Sequence, residues 1–272
     1  MHIVLTGANG FIGRNVLNIL LKKKHKVTIL IRDRGKLKKF YHKNLKVILS
    51  NIYEDKKIIN KIPKADILIH LAWQNLPDFN NKIHLTKNLN SNYFFIKKCV
   101  SKGIKNILVT GTCLEYGLRE GCLGEKMFSR PNTYYGKSKY KLYSKLNKIN
   151  NINLKWLRLF YIYGEGDSKN NLYTQLIKSI KQKKTFKMSK GDQLRDFIEV
   201  KSLSNLIHKI SQSKKNGIFN CCSGKPISVL NFVKSIIKKR QSKIKIDNSV
   251  YDYPYYEPKN FWGSTKKIKK IN

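Results

Sequence analysis

Four tyrosines of this chain are each followed, four residues later, by a lysine, and such a pair can support proton transfer. On a helix, residues four apart share a face, so the ammonium group can lie beside the phenol. A free tyrosine titrates near pH ~10, and a neighbouring cation makes its phenolate accessible nearer to neutrality. Tyrosine and lysine are common in this chain, however, and about 2.6 such pairs would arise by chance. The four pairs are Tyr53/Lys57, Tyr93/Lys97, Tyr135/Lys139 and Tyr255/Lys259.

A glycine-rich segment near the N-terminus provides a second pattern with a chemical meaning. A strand-like run at residues 3–5 precedes it, and a helical segment at residues 14–21 follows it. One glycine here permits a tight turn, another lets the backbone approach a pyrophosphate, and a third allows close helix packing against the sheet. This context predicts a turn that binds a dinucleotide cofactor. Its predicted cofactor-binding residues are Gly7, Asn9, Gly10, Phe11, Ile12 and Gly13.

Position along the chain selects one of the four tyrosine/lysine pairs. Tyr135 lies 23 residues after Thr112, which comes just after a strand-like run at residues 107–110. A hydroxyl at that strand end could meet the nicotinamide of a bound dinucleotide. We therefore predict Thr112, Tyr135 and Lys139 as the catalytic residues and attribute the other three pairs to chance.

The N-terminal half alternates short β-rich apolar runs with lysine-rich segments of helical length, which indicates a parallel sheet with helices on both faces. Predicted strands cover residues 3–5, 27–31, 47–49, 67–70, 107–110 and 154–159. Predicted helices follow at residues 172–183, 202–211 and 228–239, around a segment at residues 195–200. We predict an α/β fold with a Rossmann-like doubly wound parallel sheet. Its dinucleotide-binding domain would span residues 1–165, and a smaller C-terminal substrate-binding lobe, residues 166–272, would pack tightly on it.

Composition narrows the class of protein. A chain of 272 residues that is 41% hydrophobic can bury one large core with a small lobe attached. No signal-peptide pattern precedes the first strand-like run, and no run approaches 18 consecutive apolar residues, so we expect a soluble protein. The five cysteines lack Cys-x-x-Cys spacing, which predicts reduced thiols in the cytoplasm and no bound metal.

The formal net charge of +40 could by itself indicate a nucleic-acid or membrane partner. The lysines are scattered along the chain, however, rather than gathered in one tail. We therefore expect the positive field to favour capture of a polyanionic cofactor and substrate, with only loose, salt-sensitive attraction to nucleic acid.

These motifs together resemble the extended short-chain dehydrogenase/reductase family, the NAD-dependent epimerase/dehydratase group of nucleotide-sugar enzymes. After the glycine turn, further blocks match the family in order. They are His70-Leu71-Ala72, Asn88, Tyr135-Gly136-Lys137-Ser138-Lys139, Arg158-Leu159-Phe160-Tyr161-Ile162-Tyr163-Gly164 and Arg195-Asp196-Phe197-Ile198. The resemblance runs from Gly7 to about Gly224 and so covers most of the chain.

The resemblance implies a role for each matched residue. In a reduction, Tyr135 would give a proton to the carbonyl oxygen while hydride arrives at the carbon, and Thr112 would hydrogen-bond that oxygen. Lys139 would also hold the nicotinamide ribose. The other residues implied at the cofactor are Leu71, Ala72, Asn88 and Tyr135 itself.

The resemblance also implies a substrate end. Arg195 would grip the nucleotide diphosphate, because a guanidinium binds phosphate oxygens bidentately and keeps its charge. The alternative is a structural ion pair of Arg195 with Asp196 or another acid. Cys113 and Tyr161, together with the catalytic threonine, are expected near the sugar, and relatives often have Asn where this chain has Tyr161.

The loop at residues 110–117 separates activities within the family. Sugar 4,6-dehydratases place an Asp-Glu pair directly after the threonine, where this chain has Cys113 and Leu114, which cannot act as acid and base. We therefore do not expect dehydration, while reduction, oxidation and epimerisation stay open. Together with residues 70–73 and 256–263, this loop resembles reductases that make dTDP-6-deoxy-talose or dTDP-fucose from a dTDP-4-keto-6-deoxy sugar. The last stretch could equally be a C-terminal segment packed on the core.

The end of the second predicted strand bears on the choice of cofactor. Relatives that prefer NAD carry an acid there for the ribose hydroxyls, whereas this chain has Ile31 followed by Arg32 and then Asp33. Ile31 cannot accept those hydrogen bonds, and Arg32 could pair with a 2′-phosphate. NADP(H) is therefore favoured, with NAD(H) possible through Asp33.

The sequence thus predicts an enzyme that reduces a dTDP-4-keto-6-deoxyhexose with NADPH for surface polysaccharide synthesis. The alternatives are a nucleotide-sugar epimerase with retained NAD and, from another class, a non-catalytic basic protein that binds nucleic acid. The intact Thr/Tyr/Lys set argues against the second alternative. Besides a nucleotide-sugar substrate, we expect a second copy of the chain as partner, in a homodimer formed through the helices that carry Asn88 and Tyr135. No membrane and no specific nucleic acid is expected as a partner.

Overall fold

A computed structural model describes residues 1–37, 41–55, 57–253 and 255–271. Its strands and helices follow the apolar runs of the sequence. Its strands are β1 (His2–Thr6), β2 (Lys26–Ile31), β3 (Leu45–Leu49), β4 (Ile67–His70), β5 (Asn106–Thr112), β6 (Gly121–Leu123), β7 (Asn153–Leu159), β8 (Tyr161–Tyr163), β9 (Phe186–Ser189), β10 (Leu194–Glu199), β11 (Gly217–Cys221), β12 (Pro226–Ser228), β13 (Ile246–Tyr251) and β14 (Phe261–Gly263). Its helices are α1 (Phe11–Lys22), α2 (Ile58–Lys61), α3 (Leu89–Ser101), α4 (Tyr134–Leu146), α5 (Leu172–Gln182), α6 (Val200–Gln212) and α7 (Val229–Lys239). A π-helical turn (His84–Asn88) leads into α3, and 3-10 turns lie at Gly35–Leu37, Cys113–Tyr116 and Ile268–Lys270. None of the described helices is long and apolar enough to cross a bilayer.

Seven strands form one sheet in the order β3-β2-β1-β4-β5-β7-β11. Each neighbouring pair in this sheet is parallel. The strand order reverses between β1 and β4, and open α/β sheets bind ligands in the crevice that such a reversal leaves at the carboxyl ends of the strands. The doubly wound Rossmann-like fold predicted from the sequence is therefore confirmed, and the glycine turn after β1 lies at this crevice.

The large sheet is buried on both faces, which explains why its strands are continuous apolar runs in the sequence. Along β1, Ile3 and Leu5 join a core cluster with residues of α1 and α6, whereas Val4 joins the opposite cluster with residues of α3 and α4. Full burial of each such side chain stabilises the fold by about 1.5 to 3 kcal/mol. The two helix layers therefore hold the strand ends, and the side chains on them, in fixed positions.

A smaller lobe is built from the C-terminal half. Strand β10 pairs with β8 and β12, and β9 pairs with β13. Between them, α5 and α7 enclose an apolar cluster that includes Leu176, Phe186 and Phe232. The large sheet nevertheless takes its edge strand β11 from this half, and α6 packs on α1. The main core uses elements from both sides of residue 165. The division of the chain into two domains at this residue stays a prediction.

The last part of the chain returns to the N-terminal half. Strand β14 pairs in parallel with β6, and the Asn260 side chain accepts a hydrogen bond from the Leu194 N–H at 3.0 Å. The buried Asp196 carboxylate holds this return in place, since it accepts the N–H groups of Ser223 at 2.7 Å and Gly263 at 3.2 Å. The C-terminal segment, residues 255–263, is thereby joined to β10, which carries Arg195.

Candidate active site

The turn after β1 brings backbone against backbone at its glycines. Gly7 has a φ of +72°, and a Cβ on it would lie 2.8 Å from the Ala72 nitrogen. A Cβ on Gly13 would lie 2.0 Å from the Gly7 carbonyl oxygen. Among the described residues, no side chain caps α1 at Gly10, so the N–H groups of its first turn can face an anion. The predicted residues Phe11 and Ile12 form that first turn.

Asn9 ties this turn to the end of β2. Its Nδ2 donates to the Asp33 carbonyl oxygen at 3.2 Å. Ile31 is 3% exposed, whereas Arg32 and Asp33 are exposed. The Asp33 carboxylate lies beside Gly35, where a Cβ would approach its Oδ1 to 2.8 Å. The end of β2 therefore lies beside the glycine turn, with the Arg32 side chain exposed.

A chain of hydrogen bonds fixes the backbone that carries Leu71 and Ala72. The Ala72 N–H donates to Thr6 Oγ1 at 3.3 Å, and Thr6 Oγ1 lies 3.0 Å from His70 Nδ1. His70 Nε2 lies 2.7 Å from Asn92 Oδ1. Because an amide oxygen only accepts, Nε2 carries the proton and Nδ1 accepts from the Thr6 hydroxyl. Burial lowers the pKa of His70 to about 3, so the chain is satisfied with a neutral imidazole.

Asn88, the last residue of the π-helical turn, is fully buried with one atom unpaired. Its Nδ2 donates to the Gln74 carbonyl oxygen at 3.0 Å and lies 3.2 Å from His84 Nδ1. Its Oδ1 has no hydrogen-bond partner within the described part of the chain. Leaving such an oxygen unpaired costs about 1 to 3 kcal/mol. It is therefore an acceptor that a bound ligand could use.

Thr112 ends β5 and caps the 3-10 turn that follows. Its Oγ1 accepts the Leu114 N–H at 3.3 Å, and the Glu115 carboxylate accepts the Thr112 N–H at 2.9 Å. Glu115 also accepts from Arg158 Nε and from the Trp156 indole N–H, each at 2.9 Å, and all three side chains are buried. Breaking such a buried ion pair costs about 3 to 5 kcal/mol. Since the Thr112 hydroxyl accepts in the cap, its own hydrogen can be donated to a substrate oxygen.

Tyr135 and Lys139 lie on the first turns of α4, which the Thr133 hydroxyl caps by accepting an N–H at 3.0 Å. Tyr135 is 8% exposed and Lys139 is 1% exposed. Lys139 Nζ donates to the Thr110 carbonyl oxygen at 2.7 Å, which joins α4 to the carboxyl end of β5. The same Nζ lies 3.8 Å from the Trp73 ring centre and 5.7 Å from the Tyr135 ring centre. The structure thus brings the predicted pair to the strand end that carries Thr112.

Burial dominates the titration of both members of the pair. It lowers the pKa of Lys139 to about 7, although Glu115 acts in the opposite direction. Burial also raises the pKa of Tyr135 far above its usual value. We expected from the sequence that the ammonium would bring the phenolate close to neutral pH. The pKa of Tyr135 moves the other way, because burial of its phenol outweighs the effect of an ammonium that donates its hydrogen bond to Thr110. Tyr135 is therefore a protonated phenol at neutral pH.

Three of the residues predicted at the substrate, Arg195, Tyr161 and Cys113, lie in one cluster near Glu257. Arg195 Nη2 donates to Glu257 Oε2 at 2.9 Å, and Arg195 Nε donates to the Tyr161 hydroxyl at 3.1 Å. Cys113 packs in the same apolar cluster as Tyr161, and burial raises the pKa of its thiol. Arg195 therefore pairs with an acid 62 positions away along the chain, while its neighbour Asp196 binds other groups.

Four residues that we did not single out from the sequence shape this site. They are Trp73, His84, Glu115 and Glu257. Trp73, Glu115 and Glu257 lie in the stretches that we compared with the reductases, residues 70–73, 110–117 and 256–263, so their positions could have drawn attention to them. No local pattern ties His84 to the site, because its contacts arise only on folding.

The fold and this arrangement define a dinucleotide-dependent enzyme with a tyrosine/lysine pair at the carboxyl end of β5. The profile of the NAD dependent epimerase/dehydratase family matches residues 3–222, and the chain belongs to this family.

Two curated relatives match over most of their length. The chain is 33% identical, over 271 residues, to a dTDP-6-deoxy-L-talose 4-dehydrogenase (NAD(+)) of Aggregatibacter actinomycetemcomitans, with 97% of this chain and 100% of the relative covered. It is 26% identical to a GDP-6-deoxy-D-talose 4-dehydrogenase of the same organism, with 90% and 83% covered.

Solved structures share the fold. A UDP-N-acetylglucosamine 4-epimerase from Methanobrevibacter ruminantium M1 superimposes with a TM-score of 0.86 at 22% identity, covering 100% of this chain and 91% of that chain. A UDP-glucuronic acid 4-epimerase from Bacillus cereus, in complex with UDP-glucuronic acid and NAD, superimposes with a TM-score of 0.82 at 22% identity, covering 100% and 92%. Both likenesses confirm the fold predicted from the sequence.

Proposed function

We propose that this protein is a nicotinamide-dependent oxidoreductase that reduces the C4 ketone of a dTDP-4-keto-6-deoxyhexose, giving a sugar of the dTDP-6-deoxy-talose or dTDP-fucose type. The observation that carries the proposal is the contact of Lys139 with β5, which sets Tyr135 beside the strand end at Thr112. The names of the two 4-dehydrogenase relatives support a 6-deoxy sugar and its C4 position. The relative at 33% identity supports dTDP as the nucleotide.

The residues at the crevice fit a dinucleotide. The space that a Cβ on Gly7 or Gly13 would fill is already occupied by backbone, so a side chain there would disturb the turn that faces the anion. The unpaired Asn88 Oδ1 offers a further acceptor. When bound, the nicotinamide supplies or accepts the hydride. The chain's own residues must then orient the sugar and move the proton.

In the direction of reduction, two hydroxyls meet the carbonyl oxygen of the sugar. Thr112 donates a hydrogen bond, since its oxygen is fixed by the cap on Leu114. Tyr135, protonated at neutral pH, gives its proton as the oxygen becomes an alkoxide. The Lys139 ammonium then stabilises the phenolate that remains on Tyr135, because the two groups share one face of α4.

At the substrate end, Arg195 is proposed to bind the diphosphate, and Cys113 and Tyr161 to line the sugar site. The Arg195 guanidinium is already paired with Glu257 at 2.9 Å. A diphosphate would therefore share Arg195 with Glu257 or replace that carboxylate. The C-terminal segment that carries Glu257 would respond to substrate in either case.

For the cofactor, we propose NADP(H) on the basis of Arg32 at the end of β2. A guanidinium can pair with a 2′-phosphate, and the Ile31 side chain has no acceptor for ribose hydroxyls. The 33% identical relative is named as an NAD(+) enzyme, which supports NAD(H) for that protein. Asp33 is the residue that would serve NAD(H) here.

We further propose that the protein works in the cytoplasm, as a homodimer formed through α3 and α4, in the supply of a deoxyhexose for surface polysaccharide. Phe94 on α3 is 60% exposed, an apolar side chain that a helix from a second copy could cover. Sedimentation analysis of the purified protein tests the dimer, and a Phe94→Glu variant should shift it toward the monomer.

A substrate panel tests the proposed activity. Purified protein is mixed with dTDP-, UDP-, GDP- and CDP-linked 4-keto-6-deoxy sugars and either NADPH or NADH, followed by cofactor absorbance and product NMR. We expect stoichiometric loss of reduced cofactor with the dTDP substrate and a 4-hydroxy product. Interconversion of C4 epimers without added cofactor, by protein that carries bound NAD, would instead establish an epimerase. Absence of both reactions would contradict the proposed function.

A further inference from the structure

The indole of Trp73 lies against the ammonium of the predicted catalytic lysine. Lys139 Nζ is 3.8 Å from the Trp73 ring centre, the shortest cation-to-ring distance in the described part of the chain. A cation within about 6 Å of a ring face is attracted by the ring quadrupole, and indole attracts most strongly. Because Lys139 is only 1% exposed, water does little to weaken this attraction.

Trp73 is itself held in one orientation. Its Nε1–H donates to His84 Nδ1 at 3.1 Å, and His84 Nε2 lies 2.7 Å from the Asp78 carbonyl oxygen. A carbonyl oxygen only accepts, so Nε2 carries the proton and Nδ1 is an acceptor for the indole. The Tyr135 ring packs edge-on against the indole with a centroid separation of 5.9 Å. Rotation of the indole away from Lys139 would break its hydrogen bond.

The other titratable groups that act on Lys139 or are affected by it come from β4, the π-helical turn, the 3-10 turn after β5, and α4. They are His70, His84, Glu115 and Tyr135. Of these four, Glu115 alone is a carboxylic acid, and its carboxylate is already paired with Arg158 at 2.9 Å. Glu115 therefore attracts the ammonium from within its own ion pair, and the Trp73 ring adds a second attraction through direct contact.

We propose that Trp73 is a positioning residue for the Lys139 ammonium: its ring face keeps this buried side chain charged and in place, and His84 keeps the ring oriented. The contact between the Lys139 ammonium and the Trp73 ring follows from the distance between them. Its meaning for turnover rests on the proposed function, in which the ammonium stabilises the phenolate of Tyr135. Trp73 would not touch the reacting atoms and would act through Lys139.

Direct titration of Lys139 tests the proposal without any assay of turnover. Burial lowers the pKa of Lys139 to about 7, so in protein labelled with ¹³C-lysine its Cε signal titrates far below those of exposed lysines. The signal is assigned by its loss in Lys139→Arg. Trp73→Leu removes the ring face and should lower the midpoint by about one pH unit, and Trp73→Phe, with a weaker face, by less.

Matched variants separate this effect from a general loss of structure. His84→Leu removes the acceptor of the indole N–H, so it should move the midpoint in the same direction by a smaller amount. Trp262→Leu removes an indole on β14 and should leave the midpoint unchanged. If Trp73→Leu does not fold, Trp73→Phe and His84→Leu carry the test. A midpoint that stays constant or rises in the Trp73 and His84 variants would overturn the proposal.

The pH profile of kcat distinguishes this inference from the proposed function. Activity that needs the ammonium falls as pH rises through the Lys139 midpoint, and in Trp73→Leu this alkaline limb should move to lower pH by the same interval. An active wild type with an unmoved limb in Trp73→Leu would refute only the role of Trp73. A shifted ¹³C midpoint in a protein without turnover on any nucleotide sugar would refute only the proposed function.

Discussion

Arg195 and Glu257 form a buried ion pair with a separation of 2.9 Å between Nη2 and Oε2. Arg195 is 4% exposed and Glu257 is 9% exposed, so the pair is shielded from solvent. Arg195 Nη1 also donates to the Lys259 carbonyl oxygen at 2.8 Å. The guanidinium proposed to bind the diphosphate therefore also holds the C-terminal segment. Variants must separate these two roles.

Arg195→Ala should raise the KM for nucleotide sugar with little effect on cofactor affinity. Loss of a charge-assisted contact to phosphate costs about 1.5 to 3 kcal/mol, or roughly 10- to 150-fold in binding. Glu257→Gln keeps a hydrogen-bond acceptor for Arg195 and removes the competing charge, so it should leave the KM unchanged or lower it. Steady-state kinetics of both variants distinguishes the two roles of Arg195. A rise in the KM for nucleotide sugar in both variants would mean that Arg195 acts only by anchoring the C-terminal segment.

Tyr135→Phe should lower kcat by at least ~100-fold, the usual scale for loss of a general acid, while cofactor affinity stays close to that of wild type. The phenol has no other described hydrogen-bond partner that the change would disturb. Tyr255→Phe is the matched control, since Tyr255 is 82% exposed and its pairing with Lys259 is attributed to chance. Tyr53→Phe and Tyr93→Phe should also leave turnover nearly intact. Similar kcat values for wild type and Tyr135→Phe would contradict the assignment.

The sheet and the glycine turn could be predicted from the sequence because both depend on local patterns. Strands buried on two faces are continuous apolar runs, as along β1, and a turn such as Gly7–Gly13 needs small residues at fixed spacing. The pairing of β6 with β14 could not be predicted, since each has only three residues and its partner lies far away in the chain. The Arg195–Glu257 pair escaped prediction for the same reason.

The titration of Tyr135 shows a second limit of prediction from sequence. Helical spacing correctly placed Lys139 on the same face as Tyr135, but the direction of a pKa shift depends on burial and on where the ammonium points. The neighbours that decide both, Trp73 and Thr110, come from other elements of the fold. Sequence spacing therefore predicted which residues meet, and the fold determined how they titrate.

The double change Ile31→Asp with Arg32→Asn should shift cofactor preference toward NADH. The new carboxylate would accept hydrogen bonds from the ribose hydroxyls and repel a 2′-phosphate, while loss of the guanidinium removes the partner of that phosphate. The measurement is the ratio of kcat/KM for NADPH and NADH in wild type and variant. A wild type that prefers NADH, together with an unmoved ratio in the variant, would identify Asp33 as the ribose ligand instead.

Stability should fall with decreasing pH in a window set by His70. Burial lowers its pKa to about 3 in the folded protein from an ordinary value of 6.5, so below pH 6.5 the unfolded state binds a proton that the folded state does not bind. The free energy of unfolding should therefore decrease by up to about 1.4 kcal/mol per pH unit as pH falls from about 6.5 toward about 3. Urea unfolding across this range measures the slope.

His70→Gln should flatten that slope, because an amide can bond to Thr6 and Asn92 without titrating. His42→Gln is the control for the substitution itself, since His42 is exposed. Equal slopes for wild type and His70→Gln would show that the buried imidazole does not govern acid stability.

The fate of the transferred hydride tests the central claim most directly. Wild-type protein is incubated with a dTDP-4-keto-6-deoxyhexose and nicotinamide cofactor carrying deuterium at the hydride position, and the sugar product is examined by NMR. We predict deuterium at C4 of the product in one configuration, and at least ~100-fold slower incorporation by Tyr135→Phe. Product without deuterium at C4, or incorporation by Tyr135→Phe at the wild-type rate, would contradict the account.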